Sequence, residues 1–150
     1  MKNDLTIEFA GGKLNVRVAV WIEKDNQLLV STFPDGTISL PGGRIAFGEN
    51  SLTAIKREML EETGASLLNP ELFSIIENFF EIEVPYHEYL FIYKGNTGEQ
   101  KIYDNPDDEE QVISWIPIEE VRKLYPRCLQ SLVGKQKEDK VIHLINQEKV

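Results

Sequence analysis

The stretch from Gly43 to Gly64 constrains this chain more tightly than any other part of it. Asn50 or Ser51 can cap a helix by accepting a bond from a free backbone N–H, and Gly64 suits the left-handed position just past a helix end. A helix over about Ser51 to Thr63 follows. Leu52, Ile55 and Met59 fall on one of its faces, the face expected to bury. Glu58, Glu61 and Glu62 stand three and four residues apart, so they project within about 100° of one another. The fold must therefore bury one stripe of this helix and leave three carboxylates together beside it.

The segments around the helix read mostly as strands. Leu14 to Ile22 is β-branched and apolar, Asp25-Asn26 signals a turn, and Gln27 to Thr32 returns as a second strand, so the two are expected to pair as a hairpin. Pro34-Asp35-Gly36 is another turn, Thr37 to Leu40 a short strand ending at Pro41-Gly42-Gly43, and Ile45 to Phe47 a further extended piece. Leu72 to Val84 and Tyr86 to Tyr93 form two strands with Pro85 near their turn. Gln111 to Ile116 is another strand, followed by a short helix after Pro117. Pro126 to Gly134 reads as helical and Val141 to Ile145 as a last strand or extended tail. Strands and helices are interspersed, which predicts an α/β or α+β fold with a mixed sheet, in one domain over residues 1–150.

Composition narrows the function. A formal charge of −9 argues against non-specific binding to a nucleic-acid polymer, which depends on Lys and Arg neutralising phosphates. No apolar run is long enough for a membrane span, and the lone Cys128 cannot form an internal disulfide, so a cytoplasmic location is expected. An acidic site can hold an anionic phosphate substrate only with divalent cations between the two sets of charges. Mg²⁺ and Mn²⁺ commonly bridge a few carboxylates to substrate phosphates, and Glu58, Glu61 and Glu62 suit that use. Arg57 lies on the adjacent arc, with Glu49 as candidate partner for its planar fork. Gly42 and Gly43 permit a sharp turn and close backbone approach to a metal or phosphate.

An acidic helix face alone is ordinary solvated surface. Here the spacing is specific: Gly43, five residues, Glu49, seven residues, then Arg57-Glu58-Met59-x-Glu61-Glu62-x-Gly64-Ala65. This stretch resembles the signature of the Nudix hydrolases. Only Ala65, where the family usually has a larger aliphatic residue, departs from it. The likeness extends loosely to Leu40-Pro41-Gly42-Gly43 and to Ser114-Trp115-Ile116-Pro117. It implies a three-layer α/β/α sandwich around a central mixed sheet. It also implies hydrolysis of a nucleoside diphosphate linked to another moiety, such as a nucleoside triphosphate, ADP-ribose, another nucleotide sugar, a dinucleoside polyphosphate or, least favoured by the acidic surface, a capped RNA end. The resemblance places the metal on Glu58, Glu61 and Glu62, with the Gly42 carbonyl completing its shell, and makes Glu49 and Arg57 a brace between loop and helix. Members of such folds often dimerise, though no stretch here marks an interface.

The proton acceptor for the attacking water is either in the helix, as Glu61 or Glu62, or in the acidic loop, as Glu109 or Glu110. Arg44 is a candidate for substrate contact. Phe33, Phe79, Phe80 and Tyr103 can stack on a base, although packing in the core is the commoner use of such residues. His87 is read as a structural partner in a strand, and Glu88 as equally ambiguous. Two rivals remain: a domain that binds a nucleotide for regulation without cutting it, and an isomerase acting on a diphosphate-bearing substrate. The first would be expected to lose carboxylates, and the second needs further acid–base groups, for which Cys128 has no partner nearby in sequence.

Overall fold

The computed structural model describes residues 3–102, 111–135 and 140–148. Its elements run β1 (Thr6–Phe9), β2 (Gly12–Trp21), β3 (Glu23–Lys24), β4 (Gln27–Thr32), β5 (Ile38–Ser39), β6 (Gly42–Arg44), α1 (Ser51–Thr63), β7 (Leu68–Ile82), β8 (Val84–Asn96), β9 (Val112–Pro117) and β10 (Ile142–Gln147). Two 3-10 helices, Ile118–Lys123 and Arg127–Leu132, separate β9 from β10. The larger sheet has the order β1-β2-β8-β7-β10, with β6 continuing along the edge of β2 beyond β1. It is mixed: β2 runs parallel to β8, and β10 parallel to β7, while the β7–β8 pair is antiparallel. The smaller sheet joins β3, β4, β5 and β9.

Period-two alternation in β2 explains the layering. Val18 and Val20 bury against α1, together with Ile22, Leu29, Ala54, Ile55 and Met59. Ala19 and Trp21 point the other way, into a cluster with Phe73, Ile92, Val121, Leu124, Leu129 and Leu132 from β7, β8 and the 3-10 region. A strand buried on both faces reads as the near-continuous apolar run seen in the sequence. Each fully buried Leu, Ile, Val or Phe contributes roughly 1.5–3 kcal/mol. The helical layers on either side of the sheet match the predicted α/β/α arrangement.

Three local expectations need correcting. β2 does not form a hairpin with β4. The strand is interrupted at Ile22, whose carbonyl accepts from Leu29 N at 3.0 Å, and the hairpin is built by β3 and β4 instead. Asp25 and Asn26 both adopt positive φ (54° and 62°), as a tight two-residue turn requires. Gly42-Gly43 does not end a strand at a turn. These residues form β6 with Arg44, paired to Arg17–Ala19. Lastly, Leu52 lies at the edge of the buried stripe of α1 and is 37% exposed, because that stripe is shared by Ile55, Met59, Glu62 and Thr63.

A polar row crosses the sheet. Thr6, Asn15, Glu88, Asn78 and Asn146 stand opposite one another on five successive strands. The last four are buried. Thr6 Oγ1 donates to Asn15 Oδ1 at 2.9 Å, and Asn146 Nδ2 to Asn78 Oδ1 at 2.8 Å. No helix among the described residues is long and apolar enough to cross a membrane.

Candidate active site

Helix α1 is held at both ends by the residues the sequence nominated. The Asn50 side chain accepts from Thr53 N at 2.8 Å, and Gly64, at φ 73°, donates its N–H to the Leu60 carbonyl. Its carboxylates oppose its own electrostatics. Glu61 and Glu62 occupy the last turn, where the helix dipole disfavours negative charge, and no basic residue accompanies them there. A local arrangement that costs stability points to function.

Arg57 organises the loop–helix junction. Its Nε and Nη2 donate to the two oxygens of Glu49 at 2.8 and 2.9 Å, a bidentate pair, and Nη2 also reaches the Arg44 carbonyl at 3.2 Å. Nη1 donates to Glu58 Oε1 at 2.9 Å and to Glu61 Oε2 at 3.3 Å. Glu49 in turn accepts from Ala46 N at 3.0 Å. These bonds hold the Glu49 carboxyl below its usual range, chiefly through Arg57, and raise the guanidinium further above its own. Burial raises Glu58 despite the opposing bond from Arg57.

Glu62 is the most unusual group. It is 6% exposed, and burial, followed by the charge of Glu58, pushes its carboxyl up to about 8. Gln111 Nε2 donates to its Oε1 at 2.9 Å, and the Gln111 Oε1 accepts from Ser31 Oγ. Glu62 Oε2 is the one fully enclosed side-chain polar atom, among the described residues, with no partner. Beside it the backbone leaves no room. A Cβ on Gly43 would lie 2.5 Å from Glu58 Oε1, and one on Gly42 would lie 2.0 Å from the Val18 carbonyl oxygen. Gly42 and Gly43 thus serve close approach rather than a turn. An orphaned carboxylate oxygen, a second carboxylate against bare backbone, and an exposed third on the next helical position fit a hard divalent cation. Among the described residues no three acidic, His or Cys side chains already converge as an ion cage. That is compatible with Mg²⁺, which keeps several waters and takes one or two carboxylates plus substrate phosphates.

A cleft of about 400 Å³ opens on the face of the larger sheet opposite α1, over the polar row. Arg17, Phe33, Asn78, Phe80 and Glu88 line it. Arg17 links the two regions, since its charge also acts on Glu58 and Glu62. Of the stacking candidates, Phe33 and Phe80 face the cleft. Phe79 points to the other face of β7, its ring 4.5 Å from that of His87, which also packs against Tyr89. The Arg44 side chain leans toward Asp4, 4.0 Å away, and is absent from the cleft lining. Tyr103, Glu109 and Glu110 lie outside the described residues. Burial pushes the Cys128 thiol up to about 11, which disfavours the thiolate an isomerase would use.

The sequence motifs do not mark Arg17 or Gln111 as site residues. A signal for Arg17 existed: Asn15 and Arg17 interrupt an apolar strand at period two, which marks a polar lining on one face. Nothing local marks Gln111, whose partner Glu62 is 49 residues away.

The comparisons with known proteins agree with this geometry. The chain is 27% identical to an RNA pyrophosphohydrolase of Ruthia magnifica subsp. Calyptogena magnifica, over 84% of each protein. It is 34% identical over 94 residues to a nucleoside triphosphate pyrophosphatase/Nudix hydrolase fusion protein of Bifidobacterium longum, a match spanning 59% of this chain but only 18% of that protein. Its fold superposes on the crystal structure of a MutT protein from Bacillus halodurans with a TM-score of 0.70 at 22% identity, covering 86% of both chains. A NUDIX hydrolase structure from Nitrosomonas europaea gives 0.55 at 28% identity, covering 79% of this chain and 85% of that one. With the NUDIX domain model matching residues 13–133, the helix, its brace and strands β6, β7 and β8 with nearly all of β2 fall inside one family match: the chain belongs to the Nudix hydrolases, enzymes that cleave pyrophosphate bonds.

Proposed function

We propose that this chain, as one domain over residues 1–150, hydrolyses a pyrophosphate bond in a small nucleotide using Mg²⁺ or Mn²⁺ held by Glu58, Glu61 and Glu62, with the Gly42 carbonyl in the same shell. The observation that carries the metal assignment is the enclosed, partnerless Glu62 Oε2 beside the Glu58 carboxylate. A bound divalent cation would neutralise phosphoryl oxygens and lower the pKa of an attacking water. The remaining work belongs to the chain. Arg57, braced by Glu49, fixes the orientation of Glu58 and ties the Arg44 carbonyl to the helix. Arg17 offers a guanidinium to a phosphate lying between cleft and helix. The water's proton goes to a carboxylate, either Glu61 or Glu62 of the helix or Glu109 or Glu110 of the acidic loop.

The cleft volume suits a nucleotide rather than a polymer. The Ruthia relative is named for RNA, but the charge of −9 here favours a small substrate.

The test is phosphate or pyrophosphate release across nucleoside triphosphates, ADP-ribose, nucleotide sugars and dinucleoside polyphosphates, with Mg²⁺, Mn²⁺ or EDTA. Cleavage that EDTA stops and Glu62→Gln abolishes is the expected result. Glu61→Gln, Glu109→Gln and Glu110→Gln sort the base, which is the position whose loss lowers kcat with KM unchanged. Tight nucleotide binding without any cleavage would overturn the reading and leave a regulatory binding domain.

A further inference from the structure

The floor of the cleft carries a group that the hydrolytic reading does not use. Glu88 is 5% exposed and lines the cleft, on the strand next to the one that carries Arg17. Its Oε2 accepts from Asn78 Nδ2 at 3.0 Å. Asn78 Oδ1 in turn accepts from Asn146, so the Asn78 amide cannot rotate end for end without losing both bonds. The chain of donated bonds runs one way, toward Glu88, and ends there. Glu88 Oε1 accepts no hydrogen bond from the described residues. It is also not among the fully enclosed unpartnered atoms, so it opens on the cleft. A carboxylate oxygen that faces the cleft takes its donor from water, and a ligand that displaces that water must supply a donor in its place.

We propose that Glu88 selects the base of the substrate, and that the base is guanine. The proposal rests on the nucleotide pyrophosphohydrolase reading given above. A carboxylate has about four acceptor positions and no donor, and Asn78 takes only one of them. Guanine presents N1–H and the N2 amine side by side, two donors that match the two oxygens of one carboxylate. Adenine and cytosine offer one amine beside a ring acceptor that a carboxylate repels. Uracil offers one N–H between two carbonyls. Phe33 and Phe80 supply aromatic faces at the same cleft, and Arg17, one diagonal step from Glu88 across the β2–β8 pair, offers a guanidinium there whose charge also reaches the helix carboxylates. A site built to hydrogen-bond a donor pair rejects a base that lacks it, because its own polar atoms are then left bare.

Isothermal titration of the full chain with GMP, IMP, AMP, CMP and UMP tests this without hydrolysis, since monophosphates have no anhydride to cut. GMP should bind about tenfold or more tightly than AMP, CMP or UMP, in line with the discrimination of a bidentate contact. IMP, which keeps N1–H but lacks the N2 amine, should fall between them. Glu88→Gln replaces one acceptor oxygen by a donor and should erase the preference, with circular dichroism melting as the control for folding. Equal binding of GMP and IMP, or no guanine preference in the unaltered chain, would overturn the proposal whatever the variant does. Cleavage measured in parallel separates the two readings. Hydrolysis of nucleotides with no base preference sinks the Glu88 assignment alone. Selective GMP binding with no hydrolysis of GTP or any other anhydride sinks the hydrolase reading alone.

Discussion

At the residue scale, adjacent glycines have different jobs. A methyl group on Gly42 would meet the backbone of Val18 and Ala19, which cannot move without breaking the β2–β6 pairing. The nearest atoms to a methyl on Gly43 are those of the Glu58 carboxylate, the far end of a side chain that can swing away. Gly42→Ala should therefore cost about 3 kcal/mol of stability or more in urea denaturation. Gly43→Ala should stay folded and lose metal-dependent turnover, because its methyl displaces Glu58. Equal stability of the two variants would contradict this account. Glu62 makes a second prediction. Its native carboxyl titrates near 8, above the ordinary 4.5, so the metal-free native state holds a proton that the unfolded chain has released. The associated stabilisation is complete below about pH 4.5, declines as pH rises, and is gone above about pH 8. The melting temperature in EDTA should fall across that window, and Glu62→Gln should flatten the decline.

At the scale of elements, α1 is positioned twice over, by its apolar stripe and by Arg57. The stripe fixes which face meets the sheet, and the guanidinium fixes where the helix sits along the Arg44–Glu49 loop. Lysine keeps the charge but has a single ammonium in place of the planar fork that satisfies both Glu49 oxygens. Arg57→Lys should weaken Mg²⁺ affinity about ten- to hundredfold, the usual cost of losing a group that orients metal ligands, with little change in the helical circular dichroism signal. Titration of Mg²⁺ by calorimetry would check it, and an unchanged affinity would show that Glu58 holds its position without the brace. The cap residues of α1 were legible from Asn50 and Gly64 because capping is local chemistry. The partner of β2 was not, because the break at Ile22, beyond which the chain joins the smaller sheet, depends on what packs on both faces of β2.

At the scale of the whole molecule, a chain of charge −9 that gathers carboxylates around an enclosed oxygen should be more stable with a cation than without. Mg²⁺ at about 100 times its dissociation constant adds about 2.7 kcal/mol to a native state that alone binds it. For a chain of this length that corresponds to a rise in Tm of about 5–10 °C, readable by differential scanning calorimetry. The same addition to Glu62→Gln should give a much smaller rise. A rise of similar size with Na⁺ at matched ionic strength would mean that charge screening, not a site, is responsible.

The helix Ser51–Thr63, its acidic face, the Glu49–Arg57 pairing and the family all rest on residues close together in the chain, where spacing maps directly onto geometry, so they are legible before any fold is known. The lining of the cleft, by contrast, follows from long-range strand pairing. Arg17, Asn78, Glu88 and Phe33 come from three strands and a loop, and the strand register that aligns them is set by burial on both faces of the sheet. Choosing between Phe79 and Phe80 turned on the same point, since neighbouring strand residues face opposite ways and a one-residue slip would exchange them.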